Sequence, residues 1–222
     1  MKFVDTSDQN TPPVSQRAAR GIGTVVDQAR PLPFWSTVSA DITRFRDEDP
    51  RLRALVRGLL SQGFQAIFVY RIFRWCYERH IPTQPLRFFV ERFVEITTGI
   101  SLPAQARIGK GLRIHHFGGI IVSSEAVIGE HCTIYHGVTL GDLGGWGGAP
   151  QVGDRVLIGA GAKVLGEVTI GDDCLIGANA VVRTSVPAEH VAIGVPAVVK
   201  KREPRKGTDQ TVSQAPVFLH EV

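Results

Sequence analysis

From Val152 onward an aliphatic residue returns at every sixth position, through Ile158, Val164, Ile170, Ile176 and Val182. Four places after each stands a second small or aliphatic residue: Val156, Ala162, Val168, Cys174, Ala180 and Val186. Glycine follows the first ladder directly at 153, 159, 171 and 177. Period six is neither the 3.6 of a helix nor the alternation of a half-buried strand, and each glycine would cost an α-helix about 1 kcal/mol. Short parallel strands joined by tight turns satisfy the whole pattern, because each coil buries its ladder against the next. The pattern predicts a mainly β chain whose C-terminal half is a parallel β-helix.

Upstream, Ile108, Ile114 and Ile120 hold the phase, and Ile128, Ile134 and Leu140 resume it two residues late. That places a slip between Ile120 and Ile128. Residues 141–151 hold five glycines and no ladder residue, which predicts a loop bulging from the solenoid.

Before the solenoid the period changes. Leu59, Phe64, Ile67, Phe68, Ile72 and Trp75 recur at helical spacing, and Ser39 and Asp41 are candidate caps of an earlier helix. Pro82 and Pro85 break the chain, and Leu86, Phe89, Val90, Phe93 and Val94 mark another amphipathic helix before Gly99. These helices are expected to pack within or between subunits. Arg71, Arg74, Arg79, Arg87 and Arg92 interrupt every apolar run short of the roughly 20 residues a spanning helix needs. The expected organisation is a mobile leader over 1–35, an α-helical domain over 36–100, the β-helix over 101–198 and a tail over 199–222.

Composition narrows the functional classes. With 43% hydrophobic and 21% charged residues and a formal charge of +4, the 222-residue chain reads as globular, without the dense basic stripe of a nucleic-acid protein. Its basic residues cluster only near Lys200, Lys201, Arg202, Arg205 and Lys206. Cys76, Cys132 and Cys174 are odd in number and far apart, which argues against disulfides and a cysteine zinc site. The first thirty residues are polar, so a cytoplasmic location is expected.

The candidate chemistry follows from the slip. His116 lies two after Ile114 and His136 two after Ile134, so the two added residues bring them into register on neighbouring coils. Parallel strands lie about 4.8 Å apart, close enough for both imidazoles to share a substrate, a proton or a metal. Single histidines such as His80, His131, His190 and His220 carry no such pairing.

The segments 114–120, 133–141 and 158–166, with Gly194-Val195-Pro196-Ala197, resemble serine O-acetyltransferases of the hexapeptide-repeat acyltransferase superfamily. Asp41-Ile42, Asp49-Pro50, Gly63-Phe64-Gln65-Ala66 and Tyr70-Arg71 are similar to that family's helical domain, so the resemblance covers about residues 38–202. It implies a left-handed parallel β-helix that trimerises and binds acetyl-CoA, the acetyl donor, between adjacent prisms. It also implies that His116 is the catalytic base, with His136 beside it, that Asp49 and His115 occupy substrate-binding positions, and that Gly141, Ala160 and Ala178 lie along the acetyl-CoA groove. Lys200 is then a candidate for the CoA phosphates, and no resident metal is implied.

Departures from that family keep other acceptors open. Its Asp-x-His-Pro segment is Ser101-Leu102-Pro103-Ala104 here, its aspartate before the catalytic histidine is His115, and its Arg-His pair in the loop is Gly148-Ala149. Histidines 115, 116 and 136 beside a glycine-rich loop also resemble acetyltransferases of exopolysaccharide assembly, including the colanic-acid type, whose sugar hydroxyl needs no ammonium or carboxylate clamp. A zinc site of the gamma-type carbonic anhydrase kind and a noncatalytic scaffold are further readings, although adjacent His115 and His116 should point to opposite faces. The end Leu219-His220-Glu221-Val222 is similar to the isoleucine-terminated tail by which the family binds cysteine synthase.

Overall fold

The computed structural model describes residues 33–46, 56, 58–116, 118–144 and 148–202. Most of the expected leader and tail, and the Asp49-Pro50 pair, lie outside these residues. Among the described residues, helices α1 (Phe34–Arg46), α2 (Gln62–Glu78) and α3 (Leu86–Thr98) precede the strands. Ser61 caps α2 by accepting the Phe64 N–H at 3.2 Å, and Gly99 ends α3 in the left-handed conformation, with φ +66°.

Among the described residues, fifteen short strands then wind into a three-sided parallel solenoid. One side stacks β1 (Ile100–Ser101), β4 (Ile120–Val122), β7 (Thr139–Gly141), β10 (Lys163–Leu165) and β13 (Val181–Val182). The second stacks β2 (Arg107–Ile108), β5 (Val127–Ile128), β8 (Gln151–Val152) and β11 (Thr169–Ile170). The third stacks β3 (Arg113–His115), β6 (Thr133–Tyr135), β9 (Leu157–Ile158), β12 (Leu175–Ile176) and β14 (His190–Ile193), and ends with β15 (Val198–Lys201), which folds back antiparallel on β14. Every ladder residue from Ile108 to Val182 is at most 4% exposed, so the six-residue repeat is the core of the prism.

The register shows where the slip lies. Ile114 pairs with Ile134 at a step of twenty, whereas Val122, not Ile120, pairs with Leu140 at a step of eighteen. The two extra residues therefore belong to the corner between β3 and β4, not to the stretch after Ile120. Ile120 is buried as well, because it stacks on Ile100 of the preceding coil. The loop after β7 adds six residues to its coil, with Ile134 stacking on Ile158 and Leu140 on Val164, and leaves the ladder in phase.

The helices close the N-terminal end of this stack. The Tyr70 hydroxyl donates to the Ala106 carbonyl at 2.8 Å and accepts the Ile108 N–H at 3.1 Å, satisfying the open edge of β2. Arg71 donates to the carbonyls of Ile108 and Gly109, and Arg74 to those of Ala104 and Gln105. Ser39 and Asp41 prove to sit inside α1 rather than at its start. Asp41 is 1% exposed, pairs with Arg71 and accepts the Leu112 N–H at 3.0 Å.

The buried face of α2 is also rotated from the expected one. Phe64, Ala66, Ile67, Tyr70, Arg71 and Phe73 are covered, while Phe68 and Ile72 remain more than a third exposed. The solenoid end presents backbone carbonyls, so polar side chains on α2 turn toward it.

Candidate active site

The corner between the third and first sides carries the histidines. His115 pairs with Tyr135, which puts His116 level with His136 on the next coil. The rings of His116 and His136 meet edge to face with centroids 5.7 Å apart. His115 instead lies flat on Tyr135, with centroids 4.8 Å apart and planes 10° from parallel. Both His116 and His136 are exposed, while His115 is half-buried.

The two-residue insertion sets this geometry. In the later coils the residue in left-handed conformation is Gly137, Gly161 or Asn179, one place after His136, Ala160 and Ala178. In the first coil His116 itself adopts φ +63°, followed by Gly118 and Gly119 at positive φ. Such a conformation costs a β-carbon residue about 1 kcal/mol, and here it re-aims the imidazole relative to the ladder beneath it.

Burial pushes His115 down to about 4, assisted by its neighbours Arg113, His116 and Arg44. His115 is therefore a neutral ring at pH 7. Arg44 donates from α1 to the Thr133 hydroxyl at 3.1 Å, and Arg113 donates to the Arg44 carbonyl at 3.0 Å, which ties the helical cap to the face beside the histidines.

Below the paired imidazoles the side chains shrink. Register places Ala160 under His136, Ala178 under Ala160 and Gly194 under Ala178. The result is a straight strip of low relief down one corner, headed by two imidazoles. The N–H groups of Gly137, Gly161 and Asn179 donate to the carbonyls of Gly118, His136 and Ala160, at 2.9, 2.9 and 2.8 Å. Those amides serve the stack, so the strip presents backbone and methyl surface rather than a row of free donors there. Lys163 reaches from the first side to the Gly137 carbonyl and to the Thr139 hydroxyl at 3.1 Å, pinning the turn behind His136.

The remaining candidates lie apart. Gly141 ends β7 at the next corner, where the glycine-rich loop departs, and its carbonyl accepts the Gly166 N–H at 2.9 Å. Lys200 is exposed on β15, five strands from β3, or about 24 Å at 4.8 Å per strand. Asp49 lies outside the described residues. Among the described residues no group of three His, Cys, Asp or Glu side chains is arranged to hold a metal ion.

A model for the bacterial transferase hexapeptide (six repeats) matches residues 149–184. The serine acetyltransferase of Mycobacterium tuberculosis is 39% identical over 176 residues, which are 78% of this chain and 76% of that protein. This chain belongs to the serine acetyltransferase family. The serine acetyltransferase of Helicobacter pylori strain J99 is 39% identical over 167 residues, covering 72% of this chain and 94% of the relative. Among solved structures, the serine acetyltransferase of Brucella abortus in complex with coenzyme A is 33% identical with a TM-score of 0.70, covering 78% of this chain and 70% of that one. The Neisseria gonorrhoeae enzyme in complex with serine is 35% identical with a TM-score of 0.68, covering 74% of this chain and 68% of the other.

Beside the paired imidazoles, His115 and Tyr135 form a second stacked pair. Sequence analysis singles out His115 and passes over its stacking partner. Tyr135 sits beside a site histidine in the sequence and faces outward on a strand, a signal that alternation alone would have supplied.

Proposed function

We propose that this chain is an acetyl-CoA-dependent serine O-acetyltransferase that converts L-serine and acetyl-CoA to O-acetylserine and CoA, with His116 as general base. The observation that carries this reading is the His116–His136 pair at the head of the strip through Ala160 and Ala178. A relative bound to coenzyme A and another bound to serine support both substrates.

An alcohol with a pKa far above 7 is a poor nucleophile, so the unprotonated imidazole of His116 takes the hydroxyl proton as the oxygen attacks the thioester carbon. The carbon–sulfur bond then breaks, and the CoA thiolate leaves with a proton returned from the imidazolium. His136, edge-on to His116, donates a hydrogen bond to the thioester oxygen as negative charge builds there. Pantetheine lies along the strip, where Ala160 and Ala178 leave room, Gly141 at the next corner borders the groove from an adjacent prism, and Lys200 meets the phosphates. Asp49 and His115 serve as the acceptor-binding residues. The solenoid assembles as a homotrimer or a dimer of trimers, acts in the cytoplasm, and offers its last residues to cysteine synthase.

One observation favours a second acceptor. His115 is neutral and stacked on Tyr135 where the resemblance calls for a carboxylate, so this wall of the site suits an uncharged hydroxyl compound, such as a sugar of exopolysaccharide assembly. CoA release from acetyl-CoA by the purified protein, with L-serine and then a panel of sugars and oligosaccharides, decides between them. Turnover with serine supports the first reading, turnover with sugars alone replaces it by the second, and none with either removes both.

A further inference from the structure

One row along the third side from His115, the surface carries charge instead of stacked rings. Arg113 and His115 face outward on β3, and Thr133 and Tyr135 face outward on β6, in the register Arg113 with Thr133 and His115 with Tyr135. Two residues of strand separate the rows, about 6.6 Å. Arg44 reaches the first row from α1. Its Nη2 donates to the Thr133 hydroxyl at 3.1 Å, and its carbonyl accepts from Arg113 Nη1 at 3.0 Å. The guanidinium is thereby held beside the ring stack that leads through His115 to His116, whose ring centroids are 6.4 Å apart.

Arg44 lacks what other arginines of the helical cap have. Arg71, Arg74, Arg87 and Arg92 pair with Asp41, Glu78, Glu91 and Glu95. Among the described residues no carboxylate pairs with Arg44, and its Nε is enclosed without a hydrogen-bond partner. A half-buried guanidinium keeps its charge, so with only a hydroxyl beside it this one is short of a counter-charge. Its Nη1 and the second N–H of Nη2 remain for the two parallel bonds by which a guanidinium fork takes a carboxylate. The local field has the matching sign. After burial, the groups that lower His115 include Arg113 and Arg44 and no carboxylate, so this row favours an anion. Gly148 and Ala149, where the resemblance has an Arg-His pair, bring no charge of their own.

We propose that Arg44 is an anion subsite for the acceptor, its guanidinium taking the carboxylate of L-serine, with Arg113 beside it, while the serine hydroxyl lies at His116. The subsite rests on the serine reading above and names the residue that makes the site prefer serine to an uncharged sugar. It is tested by steady-state kinetics of the full chain and of Arg44→Gln, with L-serine and with L-serinamide, in which a neutral amide replaces the carboxylate. The variant is expected to raise KM for L-serine about 10- to 100-fold with little change in kcat, because the contact is the same in ground state and transition state. Wild type is expected to prefer serine to serinamide by a similar factor, and the variant to lose that preference. An unchanged KM for L-serine overturns the proposal, as does an equal rise for serinamide, which a purely structural role produces. Wild-type protein silent with L-serine removes the serine reading itself, and the subsite with it.

Should Arg44→Gln not fold, Thr133→Val decides alone, because it keeps a β-branched side chain on β6 and removes the hydroxyl that anchors Nη2. It is expected to raise KM for L-serine severalfold and to leave that for L-serinamide as in wild type. No change with serine, or equal changes with both acceptors, overturns the proposal.

Discussion

Arg71 and Asp41 hold each other at two points, Nε to Oδ2 at 2.8 Å and Nη2 to Oδ1 at 3.2 Å, with neither side chain more than 4% exposed. The pair joins α1 to α2 at the place where both meet the first coil, since Arg71 also donates to Ile108 and Gly109 and Asp41 accepts from Leu112. Replacing Arg71 by Met leaves the Asp41 carboxylate buried and unpaired. We expect a loss of about 3–5 kcal/mol in urea unfolding. Changing both residues to leucine should cost less than the Arg71 change alone, which a double-mutant cycle measures.

His116→Ala should lower kcat by roughly 10²–10⁴ while the assembled mass stays that of wild type, because the side chain is exposed at a corner and outside the ladder. His136→Asn, which retains an N–H donor, should lose less than His136→Ala. Equal losses in the two variants would count against a donor role.

Ala160→Leu and Ala178→Leu place branched side chains on the strip without entering the core, since Ala160 is half-buried and Ala178 exposed. Each should raise KM for acetyl-CoA about tenfold, equivalent to roughly 1.4 kcal/mol. Thermal unfolding should move by no more than about 0.5 kcal/mol. Steady-state kinetics with varied acetyl-CoA and fixed acceptor separates the two effects.

The depressed pKa of His115 makes stability depend on pH. An ordinary histidine titrates near 6.5, and His115 is lowered to about 4 by burial first and then by Arg113, His116 and Arg44. Between those values the unfolded chain binds a proton that the folded chain does not, so its stabilising effect is present above pH 6.5 and lost as pH falls toward 4. The loss is on the order of 2 kcal/mol, allowing for partial solvent contact. His115→Phe preserves the stack on Tyr135 and should flatten urea midpoints measured from pH 4.5 to 7.

The solenoid was legible because its cause is local and periodic. One aliphatic residue in six must face inward, and each from Ile108 to Val182 does. The register of His116 with His136 was also legible, although the extra residues proved to lie in the His116 corner. Val122 and Ile120 are both apolar, so the sequence could not tell which keeps phase with Leu140. The helices were less readable. Tyr70, Arg71 and Arg74 look like a polar stripe until the open carbonyls of the first coil are seen opposite them. Asp41 likewise reads as a cap because short acids favour helix starts, whereas its partner Arg71 lies thirty residues away.

The Tyr70 hydroxyl has a consequence for what the molecule does not become. A stack of parallel strands is a template at each end, where unpaired amides and carbonyls invite another chain to add a rung. Tyr70 occupies that position on β2 with one oxygen that both donates and accepts, and β15 turns back at the far end so that an incoming parallel strand meets one of opposite direction. A fold whose repeat has no intrinsic length thus stops at both ends, and the same ladder that builds the enzyme is kept from growing head to tail into a fibre.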